Sequence, residues 1–199
     1  MAAPPSTPGV PIESKQALID FLESGCKPTA DWRIGTEHEK FVFQDGTFLP
    51  APYEGEWGIR ALLEGLQGFG WDAILENGNP VALSHKNGCS ITLEPGGQVE
   101  LSGAAHPDVH RLAAETSCYQ TALETVAESL KLDFFAMGVR PVLPVSRIPR
   151  MPKARYRVME EVMPTLGARS LEMMFSTGTI QCNLDYSDES DMALKYHCG

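Results

Sequence analysis

Acidic and amide side chains concentrate in three short segments of this 199-residue chain: IGTEHEKF (34–41), ITLEPGGQVELSGA (91–104) and STGTIQCNLDYSDE (176–189). Each alternates as a strand does, so every second side chain shares a face. Pro95-Gly96-Gly97 is turn chemistry, because proline presets φ and glycine accepts φ > 0. A hairpin closed there sets Glu94 against Gln98, Thr92 against Glu100 and Ser90 against Ser102 on one face. Ile91, Leu93, Val99 and Leu101 then fall on the other. In the third segment Thr177, Thr179, Gln181, Asn183 and Asp185 alternate with Gly178, Ile180, Cys182, Leu184 and Tyr186. Glu37 and Glu39 stand two residues apart and share a side of the first.

These polar faces hold four Glu, two Gln, one Asn and one Asp, and no Lys or Arg. A sheet built this way is either wetting that face or lining a site. Concentrated acid without a local base is what Mg²⁺ and a bound phosphate would neutralise. Carboxylates on a rigid hairpin are the hard oxygen donors such a cation takes.

The elements that must position these residues follow from pattern and punctuation. Ser14 to Ser24 reads as a short amphipathic helix with Leu18, Ile19 and Leu22 inward and Gly25 as its stop. A strand at 34–43 turns at Asp45-Gly46 into a Pro-rich connection, 47–56. Trp57–Leu66 reads as a helix, and 73–76 and 80–85 as short strands around Asn77-Gly78. The clearest helix is 107–131, with a stripe of Val109, Leu112, Ala113, Ala122, Leu123, Val126 and Leu130. A strand at 134–139, a Pro-rich loop at 141–152 and a helix at 153–163 follow. The pattern then gives one strand over 171–186 and a last helix capped by Ser187. Irregular mixing of helices with hairpin-joined strands predicts an α+β fold, with helices on one face of an antiparallel sheet. The chain stops two turns into its last helix, so a truncated catalytic domain over 14–199 is expected behind a disordered tail, 1–13.

A hydrophobic content of 43% is enough for one domain with a substantial core. The net charge of −10 argues against a nucleic-acid partner, which needs a basic footprint. No segment is apolar enough for a membrane span, and MAAPPSTPGV carries no secretory or transit signature. Five scattered cysteines without a CxxC pair predict reduced thiols and a cytoplasmic location.

Taken in order, GTEHEKF, LEPGGQVELSGA, MPKARY and MMFSTGTIQCNLDYSDESDM resemble the N-terminal half of glutamate–cysteine ligase of the plant and proteobacterial type. The resemblance covers roughly 14–194. It implies a glutamine synthetase- and guanidino kinase-like sheet curled into a half-funnel, with the site on the concave face. It also implies ATP-dependent joining of the L-glutamate γ-carboxylate to the amine of L-cysteine through γ-glutamyl phosphate, the first step of glutathione biosynthesis. ATP is then a co-substrate and Mg²⁺ the cofactor. The metal ligands implied are Glu37, Glu39, Glu94, Glu100 and Gln181, the last standing where related bacterial ligases have His. Arg155 would pair with glutamate, with Met174, Thr177, Thr179 and Asn183 lining its pocket. From pattern alone, Arg155 reads first as a surface residue of a short helix, and it is the resemblance that reverses that reading. Two other outcomes stay open: a carboxylate–amine ligase with another acceptor, and a fragment that folds or binds metal without turnover. Half of a curled sheet would expose an edge, so self-association is also expected.

Overall fold

A computed structural model describes residues 11–141 and 143–198. The molecule is organised around one long strand, β1 (Ile34–Gln44). Hairpin strands β2 (Asp72–Glu76), β3 (Asn79–Ser84), β4 (Ser90–Leu93) and β5 (Val99–Ser102) build an antiparallel sheet on one side of it, in the order β2-β3-β4-β5-β1. Two strands share its other side. β7 (Ile180–Leu184) pairs with Ile34–His38, and β6 (Leu132–Phe135) pairs with Phe41–Gln44.

Local sequence explains the tight connections. Asn77 and Gly78 both take positive φ (51° and 80°), the conformation that a two-residue hairpin requires. The β4–β5 hairpin closes as expected, with Ser90 opposite Ser102 and Thr92 opposite Glu100, and with the Glu94 N–H donating to the Gln98 carbonyl.

Helices cover the apolar face. Val42, Leu83, Ile91, Leu93, Val99 and Leu101 pack with Leu62, Leu63 and Leu66 of α2 (Ile59–Leu66) and with Leu123 and Val126 of α3 (Val109–Leu130). A Cβ on Gly65 would lie 2.5 Å from Val126 Cγ1, so only glycine lets α2 and α3 approach this closely. Lys40, on the opposite parity from Glu37 and Glu39, turns to this side and sits 5.9 Å from the Tyr119 ring centroid. The acidic side chains thereby point away from α3.

Several expectations are corrected. Residues 171–186 are not one strand: Ser170–Ser176 forms helix α5, and only Ile180–Leu184 is extended. Leu171, Glu172, Met173 and Met174 are good helix formers, and burial of Met174 and Phe175 holds that helix in place. The strand expected at 134–139 is Leu132–Phe135, and Val139 makes a lone bridge to Thr177. The N-cap of α3 is Asp108, accepting from the His110 and Arg111 N–H groups, and its N-terminal half outruns the short α2, leaving Val109 and Ala113 exposed. Helix α1 (Lys15–Glu23) buries none of its apolar residues, Leu18, Ile19 and Leu22 included. Helix α4 is Ala154–Val162, and α6 (Glu189–Cys198) is capped by Asp188, whose Oδ1 accepts from the Asp191 N–H, rather than by Ser187. Of the expected tail, residues 11–13 are exposed coil and 1–10 lie outside the described residues. No helix among the described residues is long and apolar enough to cross a membrane.

Candidate active site

Register decides which acids meet. Glu39 is directly opposite Glu100, and Glu37 is directly opposite Gln181. Directly opposed residues of an antiparallel pair share a face. With Thr92 opposite Glu100 and Glu94 two residues further on, all four glutamates lie on one side of the sheet.

They form two neighbouring groups. In the first, Glu94 hydrogen-bonds to Glu100, while Thr92 Oγ1 donates to Glu100 Oε2 at 3.1 Å and Ser102 Oγ to Oε1 at 2.9 Å. Glu100 is 2% exposed, and Oε1 of Glu94 is buried without a hydrogen-bond partner among the described residues. Burial, with the Glu100 charge beside it, pushes the Glu94 carboxyl up to about 7. Glu39 is also held above the usual carboxylate range, by burial and then by Glu100. In the second group, Gln181 Nε2 and Asn183 Nδ2 donate to the two oxygens of Glu37, at 2.8 and 3.3 Å.

The first turn of α4 forms a cationic rim. Lys153, at its N-cap, is 8% exposed and donates through Nζ to the Leu93 carbonyl at 2.7 Å. Burial and the adjacent Arg155 charge push its ammonium down to about 8. Tyr156 Oη donates to the same carbonyl and receives a hydrogen bond from Arg155 Nη2 at 3.0 Å. Arg155 and Lys153 both act electrostatically on Glu94.

The pocket residues named from sequence are partly brought together. Met174 is buried at the end of α5, and the Thr177 carbonyl accepts from Gln98 Nε2 at 2.7 Å. The Thr179 N–H donates to Glu39 Oε2 at 3.2 Å, joining this corner to the acids. Asn183 sits with Glu37 instead. Thr177 is the C-cap of α5, not a strand residue, and its hydroxyl donates to the Met173 carbonyl.

Sequence reasoning missed Lys153 and Tyr156, although both fall in MPKARY. A signal existed: lysine is a poor choice at a helix N-terminus, where the dipole favours anions, so its presence marks a specific partner. Arg140 was missed as well; it is buried at the hairpin tip beside Gln98, which strand parity had already placed on the polar face.

Among the described residues, no three of His, Cys, Asp or Glu converge as a closed metal cage. A magnesium ion does not need one, because it keeps waters and substrate phosphates and takes one or two carboxylates. The cross-strand Glu39–Glu100 pair and the partnerless oxygen of Glu94 fit that requirement.

Similarity to known proteins supplies the family. A family model described as glutamate-cysteine ligase family 2 matches residues 33–197. The chain is 44% identical over its whole length to the chloroplastic glutamate–cysteine ligase A of Oryza sativa subsp. indica, covering 40% of that protein. It is 44% identical to the chloroplastic enzyme of Medicago truncatula and 40% identical to that of Arabidopsis thaliana, covering 39% and 38% of them. The chain thus spans about 40% of the length of the curated relatives it matches. These relatives are chloroplastic, which overturns the cytoplasmic location expected from the cysteines: thiol usage separates reducing from oxidising compartments, not cytosol from plastid. With its acidic hairpin and basic helix in the order and register described, the chain belongs to glutamate-cysteine ligase family 2.

Proposed function

We propose that this chain supplies the metal- and glutamate-binding part of an ATP-dependent glutamate–cysteine ligase, residues 14–199 being the N-terminal portion of one catalytic domain. The observation that carries the reading is the meeting of Glu39, Glu94 and Glu100 on one sheet face, rimmed by Lys153 and Arg155. In the assembled enzyme this sheet would form the wall of a glutamine synthetase-like half-funnel.

Mg²⁺ would be held by one or two carboxylates of the Glu39, Glu94 and Glu100 group, with waters and substrate phosphates completing its shell and with Glu37 and the Gln181 amide oxygen offering a second position. The ion would offset charge on the phosphoryl group passing from ATP to the glutamate γ-carboxylate. The chain's own residues prepare for it. Thr92 and Ser102 fix both oxygens of Glu100, so its orientation costs nothing further on binding. Glu94, protonated through the weakly acid range, would release its proton as a cation arrives. Arg155 provides a planar fork for a substrate carboxylate, and Met174, Thr177 and Thr179 would line the pocket beside it.

The test is a chimera in which residues 1–199 replace the matching segment of the Oryza ligase. Cysteine-dependent ADP release and γ-glutamylcysteine formation are expected, and Glu100→Gln should reduce both by at least a hundredfold with the fold intact. A folded chimera without turnover, or one indifferent to Glu100→Gln, would refute the proposal.

A further inference from the structure

Helix α4 brings the cationic rim to the acidic face without a cap of its own to hold its first turn. Its N-cap, Lys153, makes no side-chain capping hydrogen bond, and the first turn contains no acid. That end of the helix instead carries Lys153, Arg155 and Arg157, where the helix dipole is already positive. The missing acid comes from 78 positions away: Glu76 Oε1 accepts from the Ala154 N–H at 2.6 Å. The Glu76 charge also acts on both Lys153 and Arg155.

Glu76 is the last residue of the edge strand β2, and the hairpin fixes where it stands. It lies opposite Asn79 across the two-residue turn Asn77-Gly78, both of whose residues have positive φ. Asn79 Oδ1 accepts from Arg60 Nη2, and Arg60 also donates to both oxygens of Glu54. The turn is thus tied to the start of α2. On its other side, Asn77 and Asn79 line a cavity of about 460 Å³ together with Lys153, Ala154 and Arg157, so the hairpin tip and α4 do not brace each other by close packing there. The Glu76–Ala154 hydrogen bond links the two elements beside that cavity. An acid that served only to keep an edge strand from pairing would stand in water. Glu76 is partly buried and bonded.

We propose that Glu76 is a positioning residue for the ligase reaction: by capping α4 from the β2–β3 hairpin, it sets where Lys153 and Arg155 stand beside the acidic face. This rests on the glutamate-ligase reading and adds to it a residue that acts only through others. The lever is short. Ala154 lies between the two rim residues, and Tyr156, whose Oη accepts from Arg155 Nη2, follows in the same turn. Without the cap the Ala154 N–H loses its acceptor, the first turn frays, and Arg155 loses its fixed place with it.

Two substitutions separate capping from a general effect on the fold. Glu76→Ala removes the acceptor, whereas Glu76→Gln keeps an oxygen within reach of the Ala154 N–H. In the purified chain, amide hydrogen exchange followed by NMR should show Ala154 exchanging roughly fivefold faster or more in Glu76→Ala, and within about twofold of wild type in Glu76→Gln. In the Oryza chimera, Glu76→Ala should raise the KM for L-glutamate about tenfold or more and leave the KM for L-cysteine within about twofold. Glu76→Gln should recover most of that loss, and the melting temperature should stay within a few degrees in both. Unchanged Ala154 exchange in Glu76→Ala overturns the cap. Equal KM shifts for the two substrates, or a Glu76→Gln form as impaired as Glu76→Ala, overturn the positioning role. An active wild-type chimera whose Glu76→Ala form keeps its KM for L-glutamate refutes this proposal and leaves the ligase reading standing. A wild-type chimera without turnover refutes the ligase reading and the positioning role with it, while the exchange of Ala154 still decides the cap.

Discussion

Replacing Glu94 by Gln should stabilise the metal-free chain at alkaline pH and weaken its response to magnesium. In the fold the Glu94 carboxyl titrates near 7, against 4.5 for an unperturbed glutamate, chiefly because it is buried and then because Glu100 is charged beside it. The folded state therefore binds more protons than the unfolded state between these values, and stability falls as pH rises through that window. At about 1.36 kcal/mol for each pH unit, the penalty above pH 7 is roughly 3 kcal/mol, shared between the two members of a coupled pair. An amide has no charge to bury, keeps the size of the side chain and can donate to Glu100. Glu94→Gln should thus be more stable than wild type by about 2–3 kcal/mol at pH 8, and by under about 0.5 kcal/mol at pH 4.5.

Urea unfolding in EDTA reads this directly, with the buried Trp71 as a fluorescent probe. Magnesium should narrow the gap. At a hundred times its dissociation constant a ligand stabilises by about 2.7 kcal/mol, and that gain should appear in wild type and shrink in the variant. The reasoning fails if Glu94→Gln is no more stable than wild type at pH 8 without metal. It fails equally if the advantage persists unchanged at pH 4.5, because the benefit would then have nothing to do with a buried charge.

Lys153 should give the opposite slope: its folded ammonium titrates near 8 and its unfolded one near 10.5, so the unfolded state binds more protons in that window and stability rises with pH. Urea midpoints at pH 8 and 10 should show that rise in wild type and lose it in Lys153→Met; equal slopes would rule the buried ammonium out as its source. In the chimera, Glu37→Gln should lower turnover by orders of magnitude while leaving the melting temperature within a few degrees, because among the described residues the Glu37 carboxylate is held by the amides of Gln181 and Asn183 and by no charged partner. The chain alone should show no cysteine-dependent ADP release above background, since the acidic face is rimmed by cations from one side only. Turnover within tenfold of the chimera would contradict that. Every residue of the edge strand β7 is exposed, with Ile180 at 62%, so light scattering should detect concentration-dependent association that Ile180→Lys suppresses.

The acidic face was legible because strand parity is a local rule. Once Pro95-Gly96-Gly97 fixed the turn, the period of two placed Glu94, Thr92 and Glu100 together without any tertiary information. The same rule was overextended at 171–186, because the alternation begins only at Thr177 and does not run back through Leu171–Ser176. Helix formers and the burial of Met174 and Phe175 decided that stretch instead. Helix α1 failed for the complementary reason: its apolar stripe was real, but no element among the described residues buries it. An amphipathic pattern states what a helix can cover, not whether anything lies beneath it.

The basic residues were harder to read than the acids, and the cause is physical. Acids on a sheet face advertise themselves by shared parity, whereas cations that answer them arrive from elsewhere in the chain and carry no common period. Arg140 reaches Gly96 across 44 positions, and Lys153 reaches Leu93 across 60. Such contacts are fixed by how the loop after β6 and the first turn of α4 dock on the hairpin, which no window of sequence contains. What the sequence did offer was anomaly: a lysine at a helix N-terminus, and an arginine among Gly138, Val139 and Pro141 with no acid near it. Both proved to be buried cations. In a chain of net charge −10, a base without a sequence-local partner is therefore a better guide to the site than a base within an ion-pair pattern.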